Sequence, residues 1–143
     1  MFMGTHEPKL DAKGRVILPA KFRDQLADGL VVTRGQDRCL YIFTKAEFEN
    51  IYDQLSKAPI TSKNARDFLR VLMAGASDEL LDKQGRLTIP QTLRRYAQLE
   101  RDVVVTGVGA RLEVWDAQRW DEYLSVTEDV FSDAVEEIIP GLF

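Results

Sequence analysis

Several of the usual tools of protein chemistry are scarce in this chain. It has one histidine, His6, and one cysteine, Cys39. A lone cysteine cannot close an internal disulfide, which fits a reducing cytoplasm. Cys39 lies in an apolar, strand-like run and reads as a small buried hydrophobe. With no second histidine and no cysteine cluster, no metal site is expected. There is no phosphate-cradling glycine loop and no Ser–His or Cys–His arrangement, so no enzyme is expected. Carboxylate pairs around Asp11 or Asp82 are the one acid–base arrangement the sequence offers, and they lack the rest of a catalytic constellation. No apolar run approaches a membrane span, and the first residues have no signal-peptide pattern. Hydrophobic residues make up 45% of the 143, enough for one core or for two small lobes sharing one.

The net charge of −4 argues against a nucleic-acid partner only on average. The first half leans basic. Most of the second half's acid lies after Val103, where Arg111 and Arg119 face nine carboxylates. An acidic end leaves room for a basic face elsewhere.

What is present in plain view is a repeat. Leu10-Asp11-Ala12-Lys13-Gly14-Arg15-Val16-Ile17-Leu18-Pro19 returns as Leu81-Asp82-Lys83-Gln84-Gly85-Arg86-Leu87-Thr88-Ile89-Pro90. Leu, Asp, Gly, Arg and Pro recur in place, so one unit is used twice. Each copy carries tight-hairpin chemistry. Asp11 and Asp82 can accept backbone N–H groups two residues on. Gly14 and Gly85 supply the left-handed residue that closes a three-residue turn with a bulge. Arg15 and Arg86 re-enter a strand beside that bulge, where a kinked backbone can aim one charge. Pro19 and Pro90 end the strands and can open short helices.

Around the repeat the pattern continues. Met1–Leu10 is read as a lead-in ending in a strand, matched by Gly75–Leu81, with Pro8 pointing to an edge. A short helix with Phe22 and Leu26 inside is expected from Pro19 to about Ala27. Leu30–Arg34 and Cys39–Phe43 read as a hairpin. Thr44 and Glu47 make a capping box for a helix with Phe48, Ile51, Tyr52 and Leu55 on one stripe, read as core. Ser62 caps a second helix whose apolar face is Ala65, Phe68, Leu69, Leu72 and Met73. In the second half come strands Val103–Thr106 and Arg111–Trp115, then a helix capped by Asp116. There Trp120, Tyr123 and Leu124 take the places of Phe48, Ile51 and Tyr52. The organisation predicted is a first repeat at 1–57, a connector helix at 58–74, a second repeat at 75–126 and an acidic C-terminal segment at 127–143. That last segment is either a frayed end or an amphipathic helix that docks on a neighbouring subunit.

Lys9, Lys13 and Arg15 cluster at the first turn, with Lys21 and Arg23 beyond. Lys83 and Arg86 do so at the second, followed by Arg94 and Arg95. Lysines there suit phosphates, and Arg15 and Arg86 suit guanine edges, whose O6 and N7 fit a guanidinium fork. Arg23, Lys21, Arg94 and Arg95 also fit the wet faces of short helices. The bland alternative for the arginines is a pair with Asp11 or Asp82 that merely steadies the turn.

Two Asp-x-x-x-Arg motifs, at Asp11/Arg15 and Asp82/Arg86, in a chain opening Met-Phe-Met-Gly, resemble the MraZ family over essentially the whole length. That resemblance implies an α+β, mainly β fold: a small β-barrel of two AbrB-type swapped-hairpin repeats with short helices outside. It implies a cytoplasmic, nucleoid-associated transcriptional regulator without cofactor. The resemblance also implies a homo-oligomeric ring of about eight to twelve subunits. The ring would bind direct repeats in promoter double-stranded DNA, upstream of a cell-division and cell-wall gene cluster that includes its own gene. Thr88 departs from the apolar residue usual at the place of Ile17. The rival reading is a protein-interaction scaffold or an antitoxin-like AbrB-type protein.

Overall fold

A computed structural model of the protein describes residues 1–143. Eight strands and five α-helices alternate along the chain. The first unit runs β1 (Phe2–His6), β2 (Arg15–Ile17), α1 (Ala20–Arg23), β3 (Leu30–Arg34), β4 (Leu40–Thr44) and α2 (Lys45–Leu55). Helix α3 (Lys63–Ala74) follows. The second unit is β5 (Ser77–Glu79), β6 (Arg86–Thr88), α4 (Gln91–Tyr96), β7 (Val103–Gly109), β8 (Leu112–Asp116) and α5 (Ala117–Ser132). The element order thus repeats, as the duplicated motif predicts.

The sheet topology is where the two units merge. Six strands form one sheet in the order β1-β7-β8-β4-β3-β5, while β2 and β6 pair only with each other. Strand β1 lies antiparallel to β7 of the other unit, Phe2 opposite Gly109 and His6 opposite Val105. Strand β5 lies on β3, Leu30 opposite Glu79. Each unit therefore lends its first strand to its partner. The expected closed barrel is not formed: β1 and β5 are free edges of an open sheet. The physical reason lies in the prolines. Pro19 and Pro90 each stand as the N-cap of a short helix and stop β2 and β6 after three residues. Strands that short form a separate ribbon instead of bridging the edges.

One core runs through both units. Val16, Leu18, Phe22 and Leu26 of the first are buried with Leu87, Ile89, Leu93 and Ala97 of the second, against Val32, Ile42, Val105 and Val114 of the sheet. Full burial of each such aliphatic side chain is worth about 1.5–3 kcal/mol. Cys39 sits in a small satellite with Val104 and Trp115, and burial raises its thiol far above the usual range, making it unreactive. The caps fall as the sequence predicts. Thr44 Oγ1 accepts from Glu47 N, Ser62 Oγ from Ala65 N and Asp116 Oδ2 from Arg119 N.

Two expectations about helices need correction. The stripe of α2 is only half-buried and Tyr52 is 44% exposed, because the helix packs on the outer face of β4 with solvent beyond. On α3, Leu72 is buried but Phe68 and Met73 are exposed, since the helix turns only its Ala65–Leu69–Leu72 side to the sheet. Helix α5, capped by Asp116 as expected, continues to Ser132. The segment beyond is exposed and has no regular structure.

Candidate nucleic-acid interface

The site is built from the two turns. At the first, Gly14 N–H donates to Asp11 O (3.0 Å) and Asp11 N–H to Arg15 O (2.9 Å). At the second, Gly85 N–H donates to Asp82 O (2.9 Å) and Asp82 N–H to Arg86 O (3.0 Å). Both glycines take φ +78°, as a bulged three-residue turn requires.

The aspartates organise what comes next. Asp11 Oδ1 accepts the backbone N–H of Lys13 and of Arg15, each at 2.9 Å, and Oδ2 accepts Arg15 Nε at 2.8 Å. Asp82 repeats this with Gln84 N, Arg86 N and, at 2.6 Å, Arg86 Nε. The Arg15 backbone N–H, then its guanidinium and the Lys13 N–H, hold the Asp11 carboxyl below the usual carboxylate range, against a partial loss of hydration that raises it. Asp82 is lowered likewise, first by the Arg86 backbone N–H and then by its side chain. The ion pairs that the alternative reading of the motif expects are thus present. Each pair nevertheless uses only Nε. No side-chain bond takes the Nη groups of Arg15 or Arg86, and both side chains remain 26% exposed. An aspartate that locks Nε leaves the outer edge of the fork as the free one.

A pH prediction follows from the lowered carboxyls. Their folded pKa lies below the unfolded value of about 3.9, so their stabilisation is complete above that pH and is lost as pH falls through the folded value. Acid titration of stability should fall less steeply below about pH 4 in the double variant Asp11→Asn/Asp82→Asn than in the wild type. Equal slopes would remove the two carboxylates from the acid response.

The turns also hold each other. Leu18 N–H donates to Gly85 O (3.0 Å) and Ile89 N–H to Gly14 O (2.9 Å). Between these crossed bonds β2 and β6 run antiparallel, with Arg15 opposite Thr88, Val16 opposite Leu87 and Ile17 opposite Arg86. Val16 and Leu87 point into the core, so Arg15, Ile17, Arg86 and Thr88 share the outer face. An approximate two-fold axis passes between Val16 and Leu87.

Arg23 and Arg94 obey that axis. Arg23 Nε donates to Leu18 O (2.8 Å) and its guanidinium covers Gly85. Arg94 Nε donates to Ile89 O (3.0 Å) and covers Gly14, where an added Cβ would fall 2.6 Å from Arg94 Cζ. Each arginine thus roofs the turn of the other unit. Sequence reasoning placed Arg23 at the site and left Arg94 outside it. The signal that could have found Arg94 is its position, which follows Pro90 as Arg23 follows Pro19.

Lys13 and Lys83 lie exposed in the turns and enter no ion pair. Lys9 is placed differently: its Nζ meets Asp102 at 2.6 Å, and Glu100 lies nearby, so the first turn is less basic than its own segment suggests. Lys21 lies over Gly4 of β1, its Nζ 5.2 Å from the Phe22 ring centroid, turned from the ribbon toward the sheet edge. Arg95 is exposed.

The geometry defines a class: a tandem-repeat protein whose halves exchange strands and interlock through their turns beneath a two-stranded ribbon carrying paired arginines. Comparison with known proteins agrees with the duplication. A family model described as "MraZ protein, putative antitoxin-like" matches twice, over residues 1–71 and 72–139. The chain is 59% identical over 143 residues to a protein of Clavibacter michiganensis subsp. michiganensis named transcriptional regulator MraZ, covering the whole of both chains. It is 59% identical over 142 residues to the one so named in Kineococcus radiotolerans, covering 99% of each. For the namesake in Micrococcus luteus the identity is 54% over 143 residues and all of both chains. The chain belongs to the MraZ family.

Proposed function

We propose that this MraZ-family transcription regulator acts by binding double-stranded DNA through its β2–β6 ribbon. A two-stranded ribbon fits a major groove. Arg15 and Arg86 would read guanine edges, and Lys13 and Lys83, with Arg23 behind, would meet phosphates, while Lys21, turned toward the sheet edge, would stand apart from them. Lys9 contributes least, because Asp102 offsets it. The observation that carries the reading is the pair of half-anchored arginines: Nε held by aspartate, Nη groups unpartnered, both on one outer face. A guanidinium oriented before contact loses less freedom on binding.

The finer reading is a repressor of the cell-division and cell-wall gene cluster, its own gene included, gripping direct repeats in the promoter as a closed homo-oligomer on the nucleoid. Few contacts per chain make several copies on one DNA necessary for useful affinity. The half-buried stripes of α2 and α5 and the exposed Phe68 and Val71 of α3 supply surface for neighbours. Light scattering at micromolar concentration should give a mass many times that of the chain, and a monomeric mass would undo the argument from multiple copies. The deciding experiment for DNA is retardation of the protein's own upstream region, with affinity falling steeply as salt rises. No retardation at low salt would overturn the reading.

The words "antitoxin-like" in the family description favour one other reading, a protein that sequesters a toxin. A co-encoded partner recovered with the protein at fixed stoichiometry, together with no retention of DNA, would select it.

A further inference from the structure

The C-terminal segment leaves its own chain uncovered. We infer that it seats in the groove between α3 and the β3–β4 hairpin of a second copy of this chain, so that each copy grips the next head to tail. This rests on the homo-oligomer part of the reading above and not on DNA binding.

The two units part company after their last helices. Leu55, where α2 ends, corresponds to Thr127 in α5. After α2 the chain returns through Pro59, and α3 lies on β3. There Thr33 Oγ1 donates to Leu72 O at 2.6 Å and Arg34 Nη1 to Val71 O at 3.1 Å. Helix α5 does not stop at the matching point. It runs on to Ser132, about 8 Å farther along its axis. Every residue from Glu128 to Phe143 is exposed, and the hydrogen bonds of residues 133–143 stay within the segment and the end of α5.

This is not the composition of a solvated tail. Phe131, Val135, Ile138, Ile139, Leu142 and Phe143 are each 58% exposed or more. Contiguous apolar surface of that kind marks a contact with another molecule. Glu136 and Glu137 lie between Val135 and Ile138, Glu128, Asp129 and Asp133 precede them, and residues 127–143 hold no lysine or arginine. The matching surface is an apolar seat ringed by positive charge.

The groove beside α3 has that character. It encloses about 350 Å³ and is lined by Arg34, Tyr41, Phe68, Val71, Leu72 and Tyr96. Phe68 is 43% and Val71 51% exposed, although α3 turns its Leu72 side to the sheet. Its walls are held before any contact, by the Arg34 bond to Val71 O and by Tyr96 Oη, which donates to Gly35 O. Asp67 is the one carboxylate in the lining, and both Lys63 and Arg70 pair with it. Two cations on one carboxylate, with Arg34 beside them, leave the groove positive. Arg38 adds to this, its guanidinium 4.8 Å from the Tyr96 ring centroid. Apolar anchors flanked by acid thus meet an apolar floor flanked by base. Residues 133–143 reach up to about 40 Å when extended, enough to cross to a neighbour. Segment and groove are different patches of the same chain, so the contact is heterologous. A series of such contacts leaves a free groove at one end and a free segment at the other until it closes into a ring.

Light scattering over a concentration series tests this. The wild-type chain should assemble, and a chain ending at Ser132 should need at least tenfold more protein to do so. Val71→Asp should act likewise, by placing a carboxylate on the apolar floor. The decisive arm reverses charge. Glu136→Arg/Glu137→Arg and Lys63→Glu/Arg70→Glu should each assemble poorly alone, because like charges meet at every contact. Mixed in equal amounts while dilute and then concentrated, they should regain the wild-type mass, since reversed segments meet reversed grooves and natural segments natural ones. Far-UV circular dichroism recorded alongside shows that the variants keep the fold. Assembly of the chain ending at Ser132 at wild-type concentrations, or no recovery when the two folded charge variants are mixed, would overturn this inference and leave the homo-oligomer standing. A wild-type chain that stays monomeric would overturn both.

Discussion

Arg15→Ala should release the protein's upstream DNA while leaving its oligomeric mass unchanged, and Arg86→Ala should do the same. A bidentate arginine–guanine contact discriminates by about 1–3 kcal/mol, or roughly tenfold to more than a hundredfold in affinity. Where several copies grip one DNA, the loss recurs at each and binding falls below detection. Arg15→Lys should rescue little, because an ammonium cannot span O6 and N7 together. The anchoring of Nε sharpens the expectation. Asp11→Asn keeps an acceptor oxygen but removes the charge that holds the fork, so it should weaken binding less than Arg15→Ala. Retardation by Arg15→Ala equal to that by the wild type would take Arg15 out of the mechanism.

Gly85→Ala should destabilise the whole chain, by two additive routes. At φ +78° a side chain costs about 1 kcal/mol in backbone strain. The added Cβ would also overlap the Arg23 guanidinium, which cannot swing aside without breaking its bond to Leu18 O. Together these amount to about 1–3 kcal/mol, a fall in Tm of roughly 3–10 °C for a chain of this size. A double-mutant cycle separates the routes. In an Arg23→Ala background the overlap disappears and only the strain remains, so the same glycine substitution should cost less. Equal costs in both backgrounds would show that Arg23 does not roof the second turn.

Much of this arrangement is written in the chain. Asp11, Gly14, Asp82 and Gly85 specify their turns by local chemistry, and each bond expected of them is present. The helix starts at Thr44, Ser62 and Asp116 are equally local. What the chain does not announce is which strand pairs with which. A three-residue strand such as Arg15–Ile17 has too few positions to encode a register, so its partner emerges only when the whole core assembles. The same holds for β1, whose five residues carry no alternation that would name a partner, and which lies on β7. Lys9 looked like part of a basic cluster because its chain neighbours are basic, whereas Asp102 reaches it from the other unit. The exposure of Phe68 and Tyr52 was hidden for a related reason. A helical stripe reports apolarity but not how much of it one chain can cover.

The crossed bonds from Leu18 to Gly85 and from Ile89 to Gly14 make each half dependent on the other. A solitary half would be left with a hydrogen-bond donor and a carbonyl that only another half could satisfy. A half expressed alone should therefore pair with a second copy of itself, which its mass in solution would show.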